Sequence, residues 1–251
     1  MDEVLKIKEV SLTYQTEQMQ TEALKNINFS VKQGEFVSIV GPSGCGKTTM
    51  LSLISGLLAP TKGEVLINDQ QVNGVCEKVG YMLQKDHLFQ WRTVEQNALL
   101  GLEIRKIKNK KSVEYVHFLL EKYGLGEFKK HYPRQLSGGM RQRVALIRTL
   151  AFNPEILLLD EPFSALDFQT RLNVCDDVYS IIKNEKKTAV LVTHDISEAV
   201  SLSDKVVILT KRPATVSSVF ELDFKQATPF KKREDSKFSF WFNKIWKEIP
   251  H

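Results

Sequence analysis

The apolar run Phe36-Val37-Ser38-Ile39-Val40 ends at Gly41-Pro42-Ser43-Gly44-Cys45-Gly46-Lys47-Thr48-Thr49, and that junction restricts the fold more than any other stretch. A buried strand must enter a glycine-rich turn, and a helix must open at Lys47. The glycines let backbone N–H groups turn inward around an anion, and the helix start adds its positive end. Lys47 brings a point charge to the place where nucleotide β- and γ-phosphates would lie, and Thr48 offers a hydroxyl to Mg²⁺.

The flanking patterns predict an α/β fold of the P-loop NTPase type. Residues 4–14 and 24–31 alternate like antiparallel strands, and strand signals recur at 64–67, 78–83, 156–159, 188–192 and 205–209. Between about residues 86 and 155 the pattern turns helical, with Val113, Val116, Phe118, Leu119, Leu120 and Tyr123 as apolar positions before Gly124 and Gly126. The expectation is a mixed, mainly parallel sheet core, an antiparallel β subdomain and an inserted helical subdomain, all within one bilobed unit over residues 1–224.

Two further segments carry chemistry. Ile156-Leu157-Leu158-Leu159 delivers Asp160 and Glu161 to a strand's carboxyl end, where ligands sit in open α/β sheets. Asp160 is read as a direct or indirect Mg²⁺ partner and Glu161 as the group that orients and polarises an attacking water; the plainer reading is two acids at a turn before Pro162. Leu136-Ser137-Gly138-Gly139-Met140-Arg141-Gln142-Arg143 leaves N–H groups free ahead of a helix expected near Met140, a second anion-binding helix start.

In this order, the three segments resemble the nucleotide-binding subunit of an ATP-binding cassette (ABC) transporter. The resemblance implies ATP and Mg²⁺, and a head-to-tail dimer in which each ATP lies between one chain's Lys47 loop and the other's Ser137, Gly138 and Gly139. It also implies that Gln84 touches Mg²⁺ and water, that Ser164-Ala165-Leu166-Asp167 links the two ATP sites, that His194 contacts the γ-phosphate and that Tyr14 lies against adenine. One cassette without membrane spans is similar to importer subunits, which sit peripherally on the cytoplasmic face of the membrane beside separate permease subunits and an extracytoplasmic solute-binding protein. The stretch from Gln84 to Val94, with Trp91, resembles the nitrate, sulfonate and taurine importer group, to which some pyrimidine-precursor importers are similar. Gln90 stands where that group has proline, and Lys211-Arg212-Pro213 also looks like the group. The alternative is a soluble ABC ATPase of nucleic-acid or translation processes; the short interval between Thr49 and Leu136 has no room for the long coiled coil of many such proteins.

Composition narrows the remaining choices. Among 251 residues no run approaches the roughly 20 apolar residues of a membrane span, and the start lacks the look of a signal peptide. The net charge of +5 is spread over short groups, Arg105 to Lys111 and Lys231-Lys232-Arg233, which read as solvated faces rather than a nucleic-acid surface. Cys45, Cys76 and Cys175 lack metal-ligand spacing and read as free thiols. Cys45, near a helix start and Lys47, is either a reactive thiol or a small tolerated residue. In the 225–251 tail, Phe238, Trp241, Phe242, Ile245, Trp246 and Ile249 recur at helical spacing. That stripe either packs on the chain's own core or docks a partner.

Overall fold

The computed structural model describes residues 2–15, 19–224 and 228–249. Its strands are β1 (Glu3–Gln15), β2 (Gln20–Lys32), β3 (Phe36–Val40), β4 (Lys62–Ile67), β5 (Gln70–Gln71), β6 (Val79–Met82), β7 (Ile156–Asp160), β8 (Thr188–Val192), β9 (Lys205–Leu209) and β10 (Val216–Glu221). Its helices are α1 (Lys47–Ile54), α2 (Val94–Ala98), α3 (Leu100–Ile104), α4 (Lys110–Lys122), α5 (Gly138–Leu150), α6 (Phe168–Asn184), α7 (Ile196–Leu202), α8 (Pro229–Glu234) and α9 (Ser236–Glu248).

Two sheets form, ordered β2-β1-β4-β5 and β10-β9-β3-β8-β7-β6. The first is antiparallel; the second is parallel except at β10, which pairs antiparallel with β9. Every residue of β3, β7, β8 and β9 is buried, which suits parallel strands covered on both faces. Alternation then assigns the faces. Leu157, Leu159, Ala189 and Leu191 join the core under α2 to α6, whereas Ile156, Leu158, Val190 and Val192 join the core shared with α1 and the antiparallel sheet.

The strand pattern was legible in outline, and the departures have local causes. Helix α5 opens at Gly138 rather than near Met140, because Ser137 Oγ accepts from the Met140 N–H and so caps the helix two residues earlier. A Cβ at Gly138 or Gly139 would come within 2.9 Å of Leu166 or 2.8 Å of Val174, so these glycines also admit close contact with the segment leading into α6 and with α6 itself. The edge strand β10, with alternate residues exposed, lacked a strong apolar signal.

The tail closes a third core. Ile245 of α9 is fully buried with Ala199, Val200 and Ile208, and Phe238, Trp241, Phe242 and Ile249 pack around them. This is the internally packed alternative for the aromatic stripe, although Trp246 remains half exposed. The reading of Lys231-Lys232-Arg233 as a solvated face is overturned at Lys232. Its side chain is only 2% exposed, because the register of α8 turns it inward to donate to the Ser203 carbonyl at 2.8 Å.

Candidate active site

Strands β3, β8, β7 and β6 are neighbours and parallel, so the segments leaving their carboxyl ends converge. β3 leads into the Gly41–Thr49 loop, β6 toward Gln84, β7 into Asp160 and Glu161, and β8 toward His194. Sequence separation of more than a hundred residues is thereby removed by one sheet edge.

The loop has the geometry of an anion cradle. Gly46 caps α1 with φ +121°, a conformation strained for any side chain, and a Cβ there would meet Leu24 at 2.8 Å. No side chain caps α1, so its first-turn N–H groups remain available. Lys47 is buried and its Nζ donates to the Gly41 and Pro42 carbonyls at 2.9 Å each, which holds the ammonium against the loop. Ser43 and Gly44 face solvent. Tyr14, at the end of β1, shares a 3.1 Å hydroxyl bond with Thr49 and keeps its ring partly exposed beside the loop.

Two carboxylates stand opposite. Asp160 Oδ1 accepts from Thr48 Oγ1 and Oδ2 from the Tyr81 hydroxyl, both at 3.2 Å. Burial pushes the Asp160 carboxyl above its usual range, and the Thr48 and Tyr81 hydrogen bonds oppose that rise. Tyr81 is pushed up as well, by burial and then by the Asp160 charge. Glu161 has φ +43°, a left-handed conformation uncommon for a non-glycine residue and a recurrent form of stored strain at functional sites. Its N–H donates to Val192 O at 2.8 Å, which fixes the backbone there. Its Oε2 accepts from Gln84 Nε2 at 3.2 Å and lies 3.1 Å from His194 Nδ1. Gln84, Glu161 and His194 thus form one cluster on three different strand ends.

Ser137, Gly138 and Gly139 sit at the α5 start, and among the described residues none of their hydrogen bonds reaches the Lys47 loop. Asp167 caps α6 through the Thr170 N–H, which holds its carboxyl below the usual range, and Leu166 lies against Gly138. Cys45 lines the inner side of the loop at 2% exposure, and burial pushes its thiol up against the lowering influence of Lys47. Burial and the raised thiol favour the reading of Cys45 as a small tolerated residue over that of a reactive thiol.

The contacts of three arginines escaped the sequence. The Arg141 guanidinium pairs with Asp86 at 3.0 Å, and Arg148 donates to the Asp86 and His87 carbonyls at 2.7 and 2.8 Å, tying α5 to the segment after Gln84. Arg212 Nη2 donates to Gly44 O at 2.8 Å, so the Lys211-Arg212-Pro213 turn buttresses the phosphate loop. These partners are remote in sequence, and an isolated arginine carries no periodic signal.

Known proteins match this arrangement. A family model described as ABC transporter matches residues 24–164. The chain is 47% identical over 247 residues to the uncharacterized ABC transporter ATP-binding protein YtlC of Bacillus subtilis (strain 168), covering 98% of this chain and 95% of that one. It is 41% identical over 219 residues to an aliphatic sulfonates import ATP-binding protein, SsuB, of Bacillus cereus, covering 86% and 84%. Among solved structures it is similar to the dimeric post-hydrolysis state of the ATP-binding cassette MJ0796 bound to ADP and Pi, with TM-score 0.72, 35% identity and coverage of 88% and 100%. It is also similar to cbiO1 from Clostridium perfringens, part of the cbiONQ transporter complex, with TM-score 0.78, 25% identity and coverage of 97% and 96%. A family match across more than half of the chain, and a relative aligned over nearly all of it, establish that this protein belongs to the ABC transporter family and is its ATP-binding, ATP-hydrolysing cassette subunit.

Proposed function

We propose that this cassette energises solute uptake by a binding-protein-dependent importer, as a peripheral subunit on the cytoplasmic face of the membrane, with an aliphatic sulfonate or a similar small anion as solute. The resemblance to SsuB and the exposed Phe89–Trp91 stack, with ring centroids 4.8 Å apart just after Gln84, support this reading. Trp91 is 73% exposed, an unusual position for so large an apolar ring and one that suits docking of a permease subunit. No described helix is long and apolar enough to cross a membrane, and in this reading separate permease subunits carry the pathway. Residues 1–224 form the cassette, with its helical lobe at about 86–155, and residues 225–251 are a tail.

The Gln84–Glu161–His194 cluster carries the chemical reading. Glu161 takes the attacking water's proton, Gln84 and His194 orient the groups around it, and Lys47 with the α1 N–H groups neutralises the β- and γ-phosphates. The Thr48 hydroxyl and Asp160 carboxylate, already in contact, and the Gln84 amide oxygen, left available by the Nε2 bond to Glu161, are hard-oxygen donors that fit Mg²⁺. The ion, when bound, would supply positive charge that offsets the negative charge of the phosphates. Tyr14 stacks on adenine. Ser137, Gly138 and Gly139 close on ATP held by a second copy, since in one chain they do not reach the Lys47 loop.

Glu161→Gln keeps size and removes charge, so the variant should bind ATP, accumulate as an ATP-held dimer and hydrolyse about 10²–10⁴-fold more slowly. Hydrolysis within tenfold of the native rate removes Glu161 from this role. Co-purification with permease subunits, and its loss in Trp91→Ala, tests the importer reading.

A further inference from the structure

At the end of the parallel sheet opposite the phosphate loop lies a cleft of about 560 Å³, bounded by the β2–β3 turn, α6, Asp204 just before β9, and Phe224, Thr228 and Lys232. That volume falls in the range, roughly 300–1,000 Å³, of pockets that take small organic ligands. The charged groups around it are unequally matched. Asp204 Oδ2 is occupied by the Lys183 ammonium and the Phe36 N–H, each at 2.9 Å, and Glu35 by Lys205 at 3.0 Å and the Lys32 N–H at 2.7 Å.

Lys232 has no such partner. Among the described residues no carboxylate lies within ion-pair distance of it, and its single hydrogen bond, to Ser203 O, uses one of three ammonium protons. Its Nζ sits 5.7 Å from the Tyr179 ring centroid and 5.4 Å from that of Phe224, so two aromatic walls flank a buried cation. Burial lowers its pKa to about 8, with Asp204 opposing the fall and Lys183 adding to it, so the ammonium is still mainly charged at neutral pH. A buried charge without a counter-ion is costly, and an anion entering the cleft would remove that cost. Lys183 is already paired with Asp204, so Lys232 is the cation that sets the sign of the ligand, and the two rings favour one with an apolar body.

We propose that this cleft is a second ligand site, separate from the ATP site, that binds a small organic anion through Lys232 with its apolar part between Tyr179 and Phe224. The proposal is independent of the importer reading and does not require the ligand to be the transported solute. Benzenesulfonate is a suitable probe and benzyl alcohol its neutral counterpart. Titration calorimetry on the full chain should show one benzenesulfonate site, unaffected by saturating ATP, with benzyl alcohol at least tenfold weaker. Lys232→Met, which keeps the length and apolar stem, should weaken benzenesulfonate at least tenfold while leaving ATP affinity unchanged; Phe224→Leu should weaken it several-fold through loss of one wall. Absence of binding at millimolar probe, displacement by ATP, or equal affinity for the neutral probe overturns the proposal without reference to any variant. Undiminished binding by folded Lys232→Met overturns it as well.

Discussion

Glu198 offers a quantitative test of how the region beside His194 is held. It lies in the first turn of α7, three residues after the Asp195 cap, and is 5% exposed. Burial pushes its carboxyl up to about 7 from an ordinary 4.5; the Thr193 hydroxyl, donating at 2.6 Å, and the more distant Arg171 charge only partly oppose this, and Asp195 adds to it. Since the folded state binds the proton more tightly than the unfolded chain, stability is highest below the unfolded pKa and is lost as pH rises through the folded one. The full shift corresponds to about 3 kcal/mol, of which roughly 2.5 kcal/mol develops between about pH 5 and about pH 8.5. Glu198→Gln keeps an acceptor for Thr193 and cannot ionise, so the penalty disappears. Urea denaturation of both proteins at the two pH values gives the difference directly. The variant should gain about 2.5 kcal/mol relative to the native chain on going from the lower to the higher pH. A pH-independent difference, or a variant that loses ground at the higher pH, would refute the assignment of Glu198 as a buried, penalised carboxyl.

Other consequences can be checked separately. Arg212→Met removes the bond to Gly44 O while leaving every other loop contact, and should raise the KM for ATP several-fold with a smaller change in kcat, measured by steady-state ATPase assay; an unchanged KM would show the buttress to be idle. Cys45, buried and with its thiol pushed up, should react with maleimide far more slowly than half-buried Cys76 in the native protein, as read by peptide mass spectrometry; faster labelling of Cys45 would contradict its placement. Ile245→Ala empties a fully buried position between α9, α7 and the sheet and should cost about 2–5 kcal/mol in chemical denaturation, and a loss below about 1 kcal/mol would mean that the tail is not part of the folding unit.

The sequence by itself determined the parts that depend on neighbours along the chain. The glycine loop after β3, Asp160-Glu161 after β7 and the alternating strands are local patterns, because phosphate binding and sheet burial impose fixed spacing on adjacent residues. Tertiary structure alone decided what meets across the fold. Gln84, Glu161 and His194 are assembled only because β6, β7 and β8 lie side by side, an order that no periodicity encodes. The same holds for Arg212 at the phosphate loop and for the Asp86–Arg141 pair. Lys232 marks the limit most clearly. In the sequence it is the middle of three basic residues, indistinguishable from its neighbours; only the register of a six-residue helix against α6 and Ser203 turns it from solvent into the wall of a cleft. Side-chain direction on so short an element is set by what it packs against, and that information is absent from the element itself.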